Sequence, residues 1–352
     1  ENFFPAKGAE VKRRNWNRRK VMYQYSVIQW LFFFYFYCFM GWCIESAHVS
    51  IRTRKLTNRG FMRGPFLPLY GSGAIMMLVV SMPFQDSIIL TYLAGCVGAT
   101  ILEYITGVTM EALFKVRYWD YSNQKFNFQG HICLGTTLSW GLLTILMTEI
   151  VHVPVEKLML SIPYRILTIV TIFLTVIIAV DFALSFKAAI DLRNILVRME
   201  QAKQELVHIQ KRLDVIFALA NEEWESRKEE WENRKEERVV RREERNEGIL
   251  AKTEAFTEGL SIRIEDLRSS IEGKLAGIKS MVQSKPSQYL EDAGEELSDL
   301  KTEYAVNVEK RKQLGRIRDF FQRDMLRSNP GMTSVKFREA LEELKRNVSS
   351  KK

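Results

Sequence analysis

Three glutamates stand where carboxylates are costly. Glu45, Glu103 and Glu111 each fall inside an apolar run long enough to enter a bilayer. A carboxylate at the bilayer centre costs roughly 2.5–3.5 kcal/mol on insertion scales, so it normally faces protein or water and marks an ion, proton or substrate path. Glu103 and Glu111 are eight residues apart, which places them on about the same face of a helix. Two carboxylates on one face suit a cation or proton path, or an acid/base pair. A structural reading stands beside it: Arg59, Arg63 or Arg117 pairs with them as a fixed ion pair. The two readings are compatible.

Glu45 and His48 form Glu-x-x-His, the i,i+3 spacing of di-iron carboxylate bundles. Such a site needs a second pair, and neither Glu103 nor Glu111 is followed by a suitably placed histidine. Neither a metal nor a cofactor is therefore expected. His152 falls in an expected hairpin and His208 on a helical rod, both read as structural. The stretch GKLAGIKS from Gly273 lacks the G-x-x-x-x-G-K-[ST] order of a phosphate-binding loop, so the chain is not its own ATPase. No G-x-S-x-G or H-E-x-x-H motif supplies a nucleophile or a zinc site, and no catalytic residue is assigned. The four cysteines lie in or beside apolar runs without CxxC spacing and read as buried thiols.

The elements that must hold these residues follow from a split in composition. The 352 residues carry a formal charge of +9 with pI near 9.3. Apolar runs dominate to about residue 188, and charge dominates beyond it. The pattern predicts an all-α chain: a basic interfacial segment (1–24), a polytopic helical membrane domain (25–190), and a charged helical, coiled-coil domain on the cytoplasmic side (191–352). Lys and Arg flanking membrane segments account for the basic balance, and no nucleic-acid signature is present.

About five membrane segments are expected. The first runs from Tyr25 to Ile51 and leads into a basic loop with Arg52, Arg54, Lys55, Arg59 and Arg63. Residues 66–84 are broken by Pro68, Gly71, Gly73 and Pro83, the pattern of a re-entrant or discontinuous helix. Ile88–Phe114 is a third, with Gly95, Gly98 and Gly107 permitting close helix approach. A fourth covers about 133–151, closed by a hairpin at Val153–Pro154, and a fifth runs from Ile162 to Phe186 with Asp181 late in it. Five crossings put the basic N-terminal segment outside. Four put both termini inside but leave the 52–63 loop outside, so one basic cluster is misplaced either way.

In the tail, Met199, Leu206, Leu213 and Ala220 recur every seventh residue, as in a coiled-coil seam. A heptad-period charged repeat follows (EEWESRK, EEWENRK, EERVVRR, EERNEGI). A second seam runs from Leu260 to Val282, ended by Pro286. A third helical stretch carries Leu297 through Phe321, and an Asn329-Pro330-Gly331 turn precedes a last helix capped by Ser334. The seams either fold back as a hairpin or join subunits of a homo-oligomer.

Several ordered motifs carry a resemblance: GWCIE (41–45), NRGFMRGPFLPLYGSG (58–73), ILEYITGVTMEALF (101–114), WDYSNQKFNFQGHICL (119–134) and LSWG (138–141). Residues 27–190 resemble the family of bacterial membrane proteins catalogued as putative ABC-transporter permeases, type IV; His131 stands where the family pattern has arginine. The resemblance implies a bacterial plasma-membrane protein with a transport role and a separate ATPase subunit as partner. Three functions are carried forward. The first is a permease-like protein with a polar site from Glu45, Asn58, Arg59, Arg63, Tyr70, Glu103, Glu111, Asp120, Tyr121, Asn127 and His131, moving a small solute or ion. The second is a membrane-anchored coiled-coil scaffold, and the third an intramembrane enzyme acting on a lipid-linked substrate.

Overall fold

The computed structural model describes residues 25–236, 263–284 and 294–349. The basic segment 1–24, the last two charged heptads, Leu260 and Pro286 lie outside the described residues. The chain divides into two compact units. One comprises residues 1–194 with 317–341 and 345–352; the other comprises 195–316 with 342–344.

Helix α1, Val27–Thr53, opens on a capping box in which Ser26 Oγ accepts from the Gln29 amide and Gln29 Oε1 accepts from the Ser26 amide. Helix α2 is Pro68–Ser81, and it runs through Gly71 and Gly73 without interruption, contrary to the broken segment expected from sequence. Its prolines sit where helices tolerate them. Pro68 occupies the first turn, where its missing N–H loses no bond, and Pro83 falls in the 3-10 turn Met82–Phe84 that ends the helix. Helix α3, Ile88–Phe114, has the bounds read from the sequence and is capped by the Ser87 hydroxyl.

The fourth apolar run corrects another expectation. Helix α4 (Leu134–Leu146) passes through a π-helical turn, Met147–Val151, straight into α5, His152–Ser161. There is no hairpin at Val153–Pro154. The wide π turn lies just upstream of the proline, where helices accommodate local irregularity. The reversal comes instead at Ile162–Pro163, before α6, Tyr164–Glu236, a single helix of 73 residues.

Four of these helical stretches are long and apolar enough to cross a membrane, and α2 with its 3-10 turn is a shorter apolar helix. Their outward faces stay apolar: Ile88, Leu93, Val97, Ile101 and Ile105 on α3, and Ile169, Phe173, Val176 and Val180 on α6 are all exposed. Apolar faces of this extent need lipid around them, and the chain is a multi-pass membrane protein. Inside, Phe33, Tyr37, Met77, Leu78, Ala99, Met147, Met159 and Leu167 form one core.

Two loops meet at one end of this unit. The Arg59 guanidinium donates to the Tyr118 carbonyl (3.3 Å), so the C-terminal ends of α1 and α3 lie together. Residues 126–133 fold into a tight two-stranded turn, β1 Asn127–Phe128 with β2 Ile132–Cys133. The chain's C-terminal part returns to the same end. The third helical stretch of the tail divides here: α8 (Gly294–Leu314) stops, and Asp319 caps a separate α9, Phe320–Ser328. After the Asn329–Gly331 turn, Arg117 and Thr333 exchange backbone hydrogen bonds at 2.7 and 2.9 Å. Ser334 donates to the Lys115 carbonyl and accepts from the Phe337 amide ahead of α10, Arg338–Ser349.

In the second unit, the seam residues Leu206, Ile209, Leu213 and Ile216 of α6 pack against Ile264, Leu267, Ile271 and Ile278 of α7 (Ile264–Ser284) and Leu300 of α8. Lys274 with Asp214 and Arg212 with Glu296 bridge the flanks. Arg311, 5% exposed, donates to the Met199 carbonyl and to Glu343. The two seams thus meet as a fold-back within one chain.

Candidate functional site

The residues singled out in the sequence gather around the loop end of the membrane unit, in three polar knots. The first is built on α1. Glu45 lies 3.4 Å from the Arg59 guanidinium through Oε1 and accepts from the Tyr70 hydroxyl at 2.8 Å through Oε2. Gly41 makes this possible, because a Cβ there would collide with the Tyr70 side chain. Arg59 also donates to Asn329 Oδ1 (2.9 Å) and the Ser328 carbonyl (3.4 Å), while its backbone N–H donates to Ser46. Asn58 holds the loop in shape: it accepts from Trp42 Nε1 and donates to the Arg63 carbonyl, both at 2.6 Å. Arg63 points elsewhere. Its guanidinium stacks over Phe320 (4.3 Å) and Phe321 (5.2 Å) of α9.

The second knot is an ion cluster at the end of α3. Glu111 Oε2 accepts from Arg117 at 2.9 Å and lies 3.0 Å from His131 Nε2. His131 is 4% exposed, seated against Gly107, where any Cβ would press on its ring. Burial and the Arg117 charge pull the His131 imidazole below its ordinary value, against the opposing pull of Glu111 and Asp120. Asp120 accepts from the Ser122 amide and hydroxyl, from Thr333 Oγ1, and lies 3.6 Å from Arg117. Burial pushes the Asp120 carboxyl up, but these donors and Arg117 together hold it below the usual range. Asn127 is a loop fastener: its amide donates to the Ser122 and Gln124 carbonyls, and its carbonyl accepts from Gly130.

The third knot has a different character. Glu103, 5% exposed, accepts from Trp140 Nε1 at 2.9 Å and from the Tyr121 hydroxyl at 3.2 Å. Both partners are neutral. Tyr121 in turn is shifted upward by burial first, then by Glu103, with smaller contributions from Cys133 and Tyr70. Among the described residues, Glu45 and Glu111 each meet an arginine and Glu103 meets none.

Glu103 and Glu111 both engage the segment between Arg117 and Trp140, as expected for one helix face. Of the expected residues, Asn58, Arg63 and Asn127 turn to partners other than the carboxylates. Asp181 accepts from the Gly64 amide at 2.8 Å. His48 is exposed, and Glu45 is turned to Arg59 and Tyr70. Three contributors were not singled out in the sequence. Trp140 had a signal, since it sits in LSWG. Asn329 and Thr333 had only a turn motif beside them, with nothing to say that the turn comes back to Arg59 and Asp120.

A shallow pocket opens beside this end, lined by Gly60, Arg63, Ser185, Phe321, Asp324 and Ser328. Burial raises the Asp324 carboxyl there, while Arg63 and Arg327 pull it down.

No curated protein and no solved structure matches the chain. One family model does, over the membrane unit, and the resemblance carried by the motifs holds there. Residues 32–186 are matched by the family described as "Putative ABC-transporter type IV".

Proposed function

We propose that this chain is the membrane-embedded permease subunit of a transport system in a bacterial plasma membrane, with Glu103 as the carboxylate that binds a cation or proton. One observation carries the reading. Glu103 is buried inside an intramembrane helix with only neutral donors around it. Hydrogen bonds from neutral groups offset part of the desolvation cost of an ionised carboxylate, but not its charge. A bound cation or proton completes the site. Glu45 and Glu111, matched by Arg59 and Arg117, act as the fixed charges that frame it.

Five passes fit this reading best. The C-terminal ends of α1 and α3 lie together, and α3 has 27 residues, ~40 Å of helix. The shorter α2 therefore has to carry the chain back across the bilayer between them. The loop end, with Arg52, Arg54, Lys55, Arg59, Arg63, Lys115 and Arg117, is then cytoplasmic with the tail. A separate ATPase subunit would approach that face. The scaffold reading loses ground, because the fold-back of α6, α7 and α8 buries within one chain the seams that would join subunits.

The test is cation and proton flux in proteoliposomes of the intact chain, alone and with Glu103→Gln. The expected result is at least a tenfold loss of flux in the variant with unchanged assembly. Equal flux in both would take Glu103 off the path.

A further inference from the structure

The molecule has a second polar chain inside the bilayer, at the opposite end of α1 from Glu45, that the site above does not use. His152 is fully buried (0% exposed), directly after the π turn at Met147–Val151. Both of its ring nitrogens are engaged: Nδ1 lies 2.7 Å from the hydroxyl of Tyr37 on α1, and Nε2 lies 3.2 Å from the hydroxyl of Tyr25, just ahead of that helix's Ser26 cap. Tyr25 in turn donates to Glu156 Oε1 at 2.5 Å. Phe33 packs edge-on against the imidazole at 4.8 Å.

Donor counting sets the direction of the chain. A hydroxyl has one proton, and Tyr25 gives its own to the Glu156 carboxylate, so Tyr25 must accept from His152. The imidazole is then neutral with its proton on Nε2, and Nδ1 accepts from Tyr37. The result is an unbroken relay, Tyr37 to His152 to Tyr25 to Glu156. It runs from a residue in the dry core to a half-buried carboxylate at the helix ends. The elements around Tyr37 add no charge: α2 and α6 present Met77, Leu78 and Leu167 to that cluster. Trp140, the donor to Glu103, packs on the same cluster, and Ala99 lies one helical turn from Glu103 on α3.

We propose that Tyr25, Tyr37, His152 and Glu156 form a proton-loading station at the non-loop end of the membrane unit, separated from Glu103 by the apolar core. The inference rests on the permease reading and names the proton as its coupling ion. One proton delivered to Tyr37 from the core side reverses every bond of the relay. The Tyr37 hydroxyl passes its proton to Nδ1 and takes up the incoming one, Nε2 passes its proton to Tyr25, and Tyr25 passes its own to the Glu156 carboxylate. The Glu156 carboxylic acid then donates to Tyr25, the Tyr25 hydroxyl to Nε2, and the imidazole, protonated on Nδ1, to Tyr37. The station gains one proton, no imidazolium persists, and no charge is left at the midplane. Histidine is suited to this because its two nitrogens exchange roles between tautomers. A side chain that fills the same space with one fixed donor stops the relay.

The experiment is proton uptake into proteoliposomes holding a trapped pH dye, driven by a potassium diffusion potential, with the intact chain. Tyr37→Phe keeps the ring and removes the hydroxyl; His152→Gln keeps polarity and removes tautomer exchange. Each is expected to slow uptake at least tenfold while eluting as a monodisperse species like the wild type. As a second readout, ring-15N-labelled histidine is expected to show His152 protonated on Nε2 at neutral pH, with its tautomer balance shifted in Tyr37→Phe. If Glu103→Gln abolishes uptake while Tyr37→Phe and His152→Gln retain the wild-type rate, the station is overturned and the permease reading stands. If the wild type moves a solute but no protons, the station is likewise overturned.

Discussion

Glu111 and Glu103 share a helix face, yet their partners give them opposite roles. Removing the Glu111 charge takes away the carboxylate that Arg117 and His131 share and leaves Asp120 as the one remaining counter-ion of Arg117 among the described residues. Glu111→Gln is therefore expected to cost about 1–3 kcal/mol of stability, read as a lowered midpoint in thermal unfolding of the detergent-solubilised chain. Glu103→Gln should be near neutral in the same measurement, because the amide oxygen still accepts from Trp140 and the amide NH2 can donate to the Tyr121 hydroxyl oxygen. The pH dependence of the loop follows from His131. Its folded pKa lies below its ordinary value, so the unfolded chain binds more protons as pH falls below ~6.5. The stability it contributes is present above that pH and lost as pH falls toward the folded pKa. Asp120, also depressed, adds a loss below about pH 3.9. His131→Gln is expected to flatten the upper part of the stability–pH curve and leave the lower part intact. At this scale the sequence marked the titratable groups well, because polar residues inside apolar runs are conspicuous. It did not distinguish paired from unpaired carboxylates, since pairing depends on Arg117 turning back onto its own helix end while Tyr121 reaches the other way.

Among the elements, the return of α9 and the following turn is the feature with the most consequence. Asn329, 1% exposed, donates to the Gly60 and Met325 carbonyls and accepts from Arg59. Truncating it strands buried partners, so Asn329→Ala is expected to cost about 1–3 kcal/mol and to raise the protease sensitivity of residues 320–341. Phe320→Ala removes the nearer face under Arg63, a loss of about 0.5–1 kcal/mol at a partly solvated cation–π contact, with a smaller effect in the same digestion. Hydropathy read α1, α3 and the first part of α6 correctly because each of these stretches is long and mostly apolar. It failed at Val153–Pro154, where a π turn absorbed a proline that would otherwise have ended the helix. It also failed at Gly71 and Gly73, through which the helix runs on; Gly71 serves close packing against α1 rather than a break, since a Cβ there would meet Cys38 and Phe34. The docking of α9 was not legible at all, since an amphipathic helix shows that it has a partner but not which one.

For the whole molecule, the claim is five passes with the basic loops and the tail on one side. Single cysteines at Leu56, an exposed loop position, and Asp86 check it against a background in which Cys38, Cys43, Cys96 and Cys133 are removed. A membrane-impermeant maleimide should label position 86 from outside intact cells and position 56 only after lysis; labelling of both from one side would leave α2 re-entrant. The division into an apolar and a charged half was plain in the sequence. The assignment of residues 317–341 to the compact unit that holds the membrane helices was not, because nothing in their composition sets them apart from the tail. The central claim concerns Glu103, and infrared titration of the carboxyl stretch in the bilayer-reconstituted chain tests it most directly. The account predicts one carboxyl band in the low-dielectric region that changes with pH or cation, and that disappears in Glu103→Gln but persists in Glu111→Gln. A spectrum in which no titrating band is lost with Glu103 would contradict it.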